Sequence, residues 1–444
     1  MKKPVFIALI WALSSLALTS NLAAQDFKGN IVGGSKVKIA VPDFRGSAGA
    51  PALMSTFNQT LWGDLVSAGL FDLVAKTFYP HPIPQQPSDF GAATMASWLN
   101  PPVQASYLTF GYGATQDNLF VLRGWLYDLT RGTPAQAQAL AKNYIGSMDD
   151  AGARKTAHEF AADIIALFGG KSLFGTHIYY VHQAYAGAPK EVWVMDWDGS
   201  NQHQISRYNG LTIQPSVSSD GSHIAFVSYA KRTPGIVVFS VDPLRDLHFY
   251  NQMASVNSSP AFTPDGKQVM YSSSAGGRCC RLFLANLDGT NFHPVTHSEF
   301  IDTEPKINPK TGAQVVFVSG RSGPQQIYQM SIDGGNIERL SDGTGEASNP
   351  SWHPNGEIIA FAWTRGFAAG KFNIFTMDVA SKRYNQLTHD EGRNENPSWA
   401  PDGTHLAFAS TRGGRSQIYS MLANGTEAQR LTSDGLNFSP VWGK

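Results

Sequence analysis

Six polar residues in the second half of the chain each stand directly before a proline. They are Gln214, Ser259, Glu304, Asn349, Asn396 and Ser439. Amide, hydroxyl and carboxyl groups can exchange hydrogen bonds with a ligand, and Glu304, together with Glu395 one residue before Asn396, adds acidic charge. Such a set suits the binding of an inserted segment of a partner. The alternative is that these side chains satisfy strand-end backbone groups and hold water.

The sequence motifs that support catalysis are missing from the chain. The 12 histidines are scattered, without a His-Glu-x-x-His motif or a Cys/His cluster at zinc spacing. There is no Gly-x-Ser-x-Gly elbow or Gly-x-x-x-x-Gly-Lys loop, and Gly111-Tyr-Gly113 lacks the third glycine of a dinucleotide loop. We therefore predict no catalytic residue, no metal and no cofactor. A balance of 34 basic and 34 acidic residues argues against nucleic-acid binding.

The six positions recur because the chain from residue 215 onward is repetitive. The prolines at 215, 260, 305, 350, 397 and 440 are separated by 45, 45, 45, 47 and 43 residues. Two residues after each proline comes an apolar residue, and most units continue with an Asp-Gly or Asn-Gly pair that suits a tight hairpin turn. A fixed period of this size indicates a repeat architecture.

Each unit contains four short apolar runs separated by turn signals, which is the pattern of an all-β blade. A period of about 40–50 residues with four strands predicts a β-propeller rather than a helical solenoid. Five units are complete, residues 178–206 supply three further strands, and Pro440-Val-Trp442 supplies a lone first strand. We therefore predict six blades, the last one assembled from both ends of the propeller, because this closure removes an open sheet edge.

Three tryptophans, Trp352, Trp399 and Trp442, share one position of the repeat. Their identical register predicts packing between blades rather than stacking on a ligand. The two cysteines, Cys279 and Cys280, are adjacent and would point to opposite faces of a strand. We expect two thiols there, with a vicinal disulfide across a distorted turn as the alternative.

The rest of the chain divides into further segments. Residues 1–24 are a predicted signal peptide, with Lys2-Lys3, an apolar run and a small-residue cleavage site at Leu22-Ala-Ala24. The run is short and interrupted by serines, so we expect cleavage and a soluble protein outside the cytoplasm, with an uncleaved N-terminal anchor as the alternative. Residues 25–35 are predicted as a mobile leader, residues 36–170 as a small α/β domain and residues 171–444 as the propeller. In the α/β domain, the patterns predict helices at 52–68 and 150–168, strands at 36–42 and 71–74, a hairpin at 107–126, a strand within 136–145 and a loop at 76–90.

This order of parts resembles the TolB family of the bacterial Tol-Pal system. The resemblance is carried by the opening Ile39-Ala-Val-Pro-Asp-Phe44, by Ser67-Ala-Gly-Leu-Phe71 and by the repeated Pro-x-Trp-x-Pro-Asp-Gly units. It implies a non-enzymatic periplasmic scaffold that supports outer-membrane integrity and cell division. It also implies two partners, a Pal-like lipoprotein at one mouth of the propeller channel and a TolA-like inner-membrane protein at the leader.

The resemblance assigns residues to both partners. Thr303-Glu304-Pro305 matches a Thr-Glu-Pro of the family's Pal site, and the repeat extends that site to equivalent positions in other units. The Pal-like set is Gln214, Ser258, Ser259, Thr303, Glu304, Ser348, Asn349, Glu395, Asn396 and Ser439. The TolA-like set in the leader is Asp26, Phe27, Lys28, Asn30 and Ile31.

Two other classes of function stay open at this point. One is a carbohydrate- or peptidoglycan-binding propeller, which would need exposed aromatic side chains outside the repeat register. The other is a propeller hydrolase or lyase, which would need paired carboxylates or a metal cage in the channel. We do not expect an appended peptidase domain, since only two residues follow Trp442.

Overall fold

The computed structural model describes residues 36–47, 49–231, 233–251, 254–277, 280–389 and 391–444. The predicted signal peptide and leader lie outside these described residues. Among the described residues, no helix is both long enough and apolar enough to cross a membrane.

The first part of the structure is an α/β domain built on one mixed sheet in the order β3-β1-β4-β5-β6, with β2 beside β4. Its strands are β1 (Val37–Ala40), β2 (Arg45–Gly46), β3 (Phe71–Leu73), β4 (Tyr107–Gln116), β5 (Leu119–Asp128) and β6 (Gln138–Gly146). Its helices are α1 (Met54–Ser67), α2 (Ala92–Leu99), α3 (Pro134–Ala137) and α4 (Asp150–Leu167). Short 3-10 turns cover Pro51–Leu53, Lys76–Phe78 and Pro87–Asp89.

Helices α1 and α4 cover one face of this sheet, and their apolar stripes explain why. Phe57, Leu61 and Phe160 are fully buried in a cluster shared with β1 and β5. Helix α4 begins where the Asp149 carboxylate accepts a hydrogen bond from the Gly152 amide, and it ends before Gly169, whose φ is 76°. Both helices and the predicted strands are confirmed. Helix α2 was missed, and it packs Trp98 into a second cluster on the opposite face of the sheet.

The propeller consists of six four-stranded antiparallel sheets, in which the inner strand carries the leading proline. The first three strands of the propeller belong to blade 6, which the last strand of the chain completes. They are β7 (His177–Gln183), β8 (Lys190–Asp196) and β9 (His203–Gln204). Blade 1 is β10 (Thr212–Val217), β11 (His223–Ser228), β12 (Gly235–Ser240) and β13 (Arg245–Asp246). Blade 2 is β14 (Asn257–Phe262), β15 (Gln268–Ser273), β16 (Arg281–Asn286) and β17 (His293–Pro294).

Blades 3 to 5 repeat this arrangement. Blade 3 is β18 (Asp302–Ile307), β19 (Gln314–Ser319), β20 (Gln326–Ser331) and β21 (Glu338–Arg339). Blade 4 is β22 (Ala347–Trp352), β23 (Ile358–Trp363), β24 (Asn373–Asp378) and β25 (Tyr384–Gln386). Blade 5 is β26 (Asn394–Trp399), β27 (His405–Ser410), β28 (Gln417–Leu422) and β29 (Gln429–Arg430).

The final strand, β30 (Leu436–Gly443), closes the ring. It pairs antiparallel with β7, with Val441 opposite Tyr179 and Trp442 opposite Ile178. Blade 6 is therefore β30 followed by β7, β8 and β9. The prediction of six blades, with one assembled from both ends of the propeller, is confirmed.

Apolar clusters between neighbouring blades hold the ring together. Trp352, Trp399 and Trp442 are only 7%, 5% and 6% exposed, and each packs in such a cluster. Packing between blades is confirmed for these three residues. Their burial also removes the exposed aromatic face that a sugar ring would stack on.

Two histidines join the α/β domain to the propeller. His158 of α4 lies 2.7 Å through Nδ1 from Asp64 of α1, and its Nε2 is 3.7 Å from Asp198 in the β8–β9 turn. His405 of blade 5 contacts the Ser67 carbonyl oxygen at the end of α1 through Nε2 at 2.7 Å, and the Asp402 carboxylate through Nδ1 at 2.5 Å. The domain contact therefore rests on polar groups as well as on packing.

The expectation of reduced thiols is wrong for Cys280, which is disulfide-bonded. Cys280 is buried just before β16. Cys279 lies outside the described residues.

Candidate functional site: the central channel of the propeller

The residues before the leading prolines occupy a special backbone conformation. In every inner strand the pairing register shifts at the proline, as between Thr303 and Lys306 in blade 3. This irregularity gives all six preceding residues a positive φ, 54° for Gln214, 53° for Ser259, 51° for Glu304, 54° for Asn349, 52° for Asn396 and 48° for Ser439. Non-glycine residues rarely adopt such values, and clusters of them are typical of functional sites.

These six residues, which we call the ring, meet in one cavity. The cavity has a volume of about 450 Å³ and is lined by the inner strands of all six blades, so we refer to it as the central channel. Ser258, Thr303, Ser348 and Glu395, one position earlier, are not among the described residues that line it. The leader residues Asp26, Phe27, Lys28, Asn30 and Ile31 lie outside the described residues.

Part of the ring is linked from blade to blade. The Ser259 amide donates to Gln214 Oε1 at 3.0 Å, and the Asn349 amide donates to Glu304 Oε2 at 2.6 Å. The Asn396 amide donates a longer bond of 3.4 Å to Asn349 Oδ1. In these three places a ring side chain accepts a hydrogen bond from a backbone amide of the next blade. The alternative role, in which ring side chains satisfy backbone groups at strand ends, therefore holds for Gln214, Glu304 and Asn349.

The rest of the ring keeps polar atoms available. Within the part of the chain that the structure describes, the side chains of Asn396 and Ser439 form no hydrogen bond, although both line the channel. The ring therefore combines a linked arc, in which the side chains of blades 1 to 4 form hydrogen bonds, with a free arc in blades 5 and 6, in which the side chains form none. The free arc is where a ligand would find unused donors and acceptors.

The acidic charge of the site is concentrated at Glu304. Burial in the channel raises the pKa of its carboxyl group, against the lowering effect of the Asn349 amide bond and of the nearby Lys306 charge. Glu395 instead turns to Arg393, whose guanidinium it contacts at 2.5 Å. Glu304 is thus the carboxylate that faces the channel, while the charge of Glu395 is balanced outside the lining.

One lining residue was missed in the sequence analysis, namely Lys306, two positions after Glu304. Burial in the channel lowers the pKa of its ammonium group, opposed by the Glu304 charge. Alignment of the repeats could have found it, because the equivalent residues are Ser216, Ala261, Ser351, Ser398 and Val441. The described residues contain no group of three or more His, Cys, Asp or Glu side chains placed to hold a metal ion.

Six closed blades around a polar channel, preceded by an α/β domain, define a six-bladed β-propeller of the kind that the sequence predicted. Comparison with known proteins then identifies the family to which this propeller belongs. The chain matches the TolB beta propeller domain over residues 165–367 and 341–444. The chain belongs to the TolB beta-propeller family, and the resemblance inferred from the sequence is confirmed.

Individual relatives agree with this assignment. The chain is 32% identical over 197 residues to the Protein TolB homolog of Chlorobium luteolum, an alignment of 44% of this chain and 43% of the relative. It is 32% identical over 184 residues to the Tol-Pal system protein TolB of Bordetella pertussis, covering 41% of each chain. The matches therefore span less than half the length of these two relatives.

A solved structure extends the similarity to the whole fold. The crystal structure of TolB from Acinetobacter baumannii superposes with a TM-score of 0.74, covering 93% of this chain and 98% of that chain at 22% identity. This likeness supports the arrangement of α/β domain and propeller. The names of these relatives are those of TolB proteins rather than of enzymes, in agreement with the prediction of a non-enzymatic protein.

Proposed function

We propose that this chain is a periplasmic protein-binding scaffold of the Tol-Pal cell-envelope system. It links a Pal-like lipoprotein, held at the channel, to a TolA-like inner-membrane protein, held by the leader, and so supports outer-membrane integrity and cell division. The observation that carries the proposal is the ring, because six equivalent polar residues meet in one channel and two of them keep free polar side chains. Membership of the TolB family supplies the system in which such a site would work.

The chemistry of the ring fits a protein loop better than a reacting substrate. Its groups are amides, hydroxyls and one carboxylate, held at fixed positions by proline-flanked strand irregularities. A preformed polar rim of this kind lowers the ordering cost of binding, since its backbone and the linked side chains of blades 1 to 4 already hold a defined geometry. The incoming loop would form its hydrogen bonds mainly with Asn396 and Ser439.

Exchanging Glu304 for lysine is expected to weaken capture of a Pal-like domain at least about tenfold, because it removes the acceptor of the Asn349 amide and so disturbs the linked arc of the ring. The measurement is calorimetric titration with the soluble domain of the Pal-like lipoprotein encoded in the same genome. Glu304→Gln is the matched control, since it keeps an acceptor for the Asn349 amide. Circular dichroism should show that both variants remain folded, and an unchanged affinity of the lysine variant would count against this site.

Deleting residues 25–34 is expected to abolish binding of a TolA-like periplasmic domain while leaving capture of the Pal-like domain unchanged. The reason is that the proposal gives each partner its own segment of the chain. Pull-down of each domain by the mature and the shortened chain measures the effect. If the shortened chain still binds the TolA-like domain, the leader has no part in that contact.

A further inference from the structure

Lys306 breaks the pattern of the inner strands. The residue directly after each leading proline lines the channel, and these residues are Ser216, Ala261, Lys306, Ser351, Ser398 and Val441. Five of the six are small or medium-sized and uncharged. A lysine opposite such residues has room to extend into the channel, and it brings a positive charge to a wall that is otherwise neutral at this level.

The equivalents of Lys306 in the next two blades have a structural task that Lys306 does not share. Ser351 Oγ accepts a hydrogen bond from the Trp399 amide at 3.3 Å, and Ser398 Oγ accepts one from the Trp442 amide at 2.9 Å. In blade 3 the link to the next blade uses the backbone instead, because the Trp352 indole donates to the Lys306 carbonyl oxygen at 2.9 Å. The Lys306 ammonium group is therefore not needed for the contact between blades.

The ammonium group also lacks a close partner. Across the described ranges, Lys306 Nζ forms no ion pair within 4 Å and no hydrogen bond. Glu304 is the acidic residue that acts on it, yet the Glu304 oxygens are bound to the Asn349 amide and side chain. Lys444, the other basic residue of the lining, is exposed to solvent at the end of the chain.

Lys306 is a half-buried cation whose nearest carboxylate, Glu304, is bonded to Asn349, and a carboxylate entering from outside would pair with it directly. We propose that Lys306 receives an aspartate or glutamate side chain of the protein loop that enters the channel past the ring. This inference rests on the proposed function and adds to it the chemistry of the inserted segment. The ring then binds the loop's polar groups, while Lys306, two residues further along the inner strand of blade 3, binds its acidic side chain.

The lowered pKa of Lys306 also predicts that the protein takes up protons when the loop binds. Burial lowers the pKa of Lys306, and a carboxylate placed beside it raises that pKa again. Of the nearby charged groups, Glu304 already opposes the lowering, Glu395 is paired with Arg393, and Lys444 is solvated. Binding of the acidic loop should therefore take up protons from solution, to an extent that falls when Lys306 is removed.

The test replaces Lys306 by the serine that three other blades carry at this position. Lys306→Ser is expected to weaken binding of the soluble Pal-like domain at least about 30-fold, as expected for the loss of one member of a buried charge pair. Lys310→Ser is the matched control, because it removes an exposed lysine of the same blade and should change affinity less than twofold. Titrations in buffers of different ionisation enthalpy measure the proton uptake, which should be smaller in Lys306→Ser.

A second measurement needs no protein partner. Acetate, as a minimal carboxylate, is titrated into the native chain while the ε-methylene signal of ¹³C-labelled Lys306 is followed by NMR. In the native chain we expect a saturable shift of the Lys306 signal. The other lysine signals should not shift, either in the native chain or in Lys306→Ser. An unmoved Lys306 signal would overturn the inference.

The two measurements separate the inference from the proposed function. If Lys306→Ser binds the Pal-like domain as tightly as the native chain, the carboxylate role of Lys306 is wrong, while Pal capture stands. If the native chain binds acetate at Lys306 but captures no Pal-like domain, the carboxylate site stands and the proposed partner is wrong.

Discussion

Replacing Trp442 with alanine is expected to lower the free energy of unfolding of the propeller by about 3–5 kcal/mol, the range for truncating a large buried aromatic side chain. Trp442 is 6% exposed and packs between blade 5 and blade 6. Its indole nitrogen donates to Thr176 Oγ1 at 2.9 Å, and its amide donates to Ser398 Oγ at 2.9 Å. The side chain thus holds the strand that closes the ring, so its loss weakens the packing of blade 6 against blade 5.

Urea unfolding followed by far-ultraviolet circular dichroism measures this effect. Trp442→Phe keeps most of the buried volume but loses the bond to Thr176, so it should cost about 1–3 kcal/mol. Lys444→Ala removes an exposed side chain two residues further on and should stay within about 0.5 kcal/mol of the native chain. An alanine variant of Trp442 as stable as Lys444→Ala would show that closure does not depend on this side chain.

The number of blades could be predicted from the sequence because closure follows from the repeat itself. Five complete units, three strands before them and a lone first strand after them leave one consistent arrangement, and β30 pairs with β7 accordingly. Helices α1 and α4 were equally accessible, since each carries a long apolar stripe. Helix α2 was not, because it covers eight residues and follows a proline-rich segment that offers no helical period.

The site was predictable in its membership but not in its geometry. The position before each proline identified the six ring residues, but the sequence did not show that all six have a positive φ. Nor could it show which side chains are used for links between blades, since Gln214 and Glu304 meet partners 45 residues away. Lys306 differs, because comparison of the six units position by position would have identified it from sequence alone.

The contact between the two domains was beyond the reach of the sequence, since it joins residues far apart in the chain. His158 was placed correctly on a helix, but its partners Asp64 and Asp198 come from another helix and from the propeller. Its ring also packs near Phe174 and Trp197. Such a buried acid–base cluster has consequences for stability that only the folded structure reveals.

The contribution of the Asp64–His158 cluster to the free energy of unfolding is expected to fall as the pH rises. Burial raises the pKa of Asp64 to about 6, so the folded chain keeps a proton there that the unfolded chain releases near pH 4. Burial alone would lower the pKa of His158, but its hydrogen bond to Asp64 and the charges of Asp64, Asp198 and Asp196 raise it overall. Because both folded-state pKa values are raised, the folded chain binds more protons than the unfolded chain, and the stability contribution is lost as pH rises through them.

Asp64→Asn is therefore expected to remove the part of this loss that falls between about pH 4 and pH 7, worth about 2–3 kcal/mol for a shift of this size. Urea unfolding of the native chain and the variant at intervals across that range gives the difference directly, and other carboxyl groups cancel in it. Asp198→Asn is the control, because Asp198 is more exposed and lies 3.7 Å from His158, so its effect should be smaller. If the free energy of unfolding depends on pH equally in the native chain and in Asp64→Asn, the buried pair does not govern the stability of the domain contact. If it depends on pH less strongly in Asp64→Asn, the pair is the group that strengthens this contact in mildly acidic surroundings.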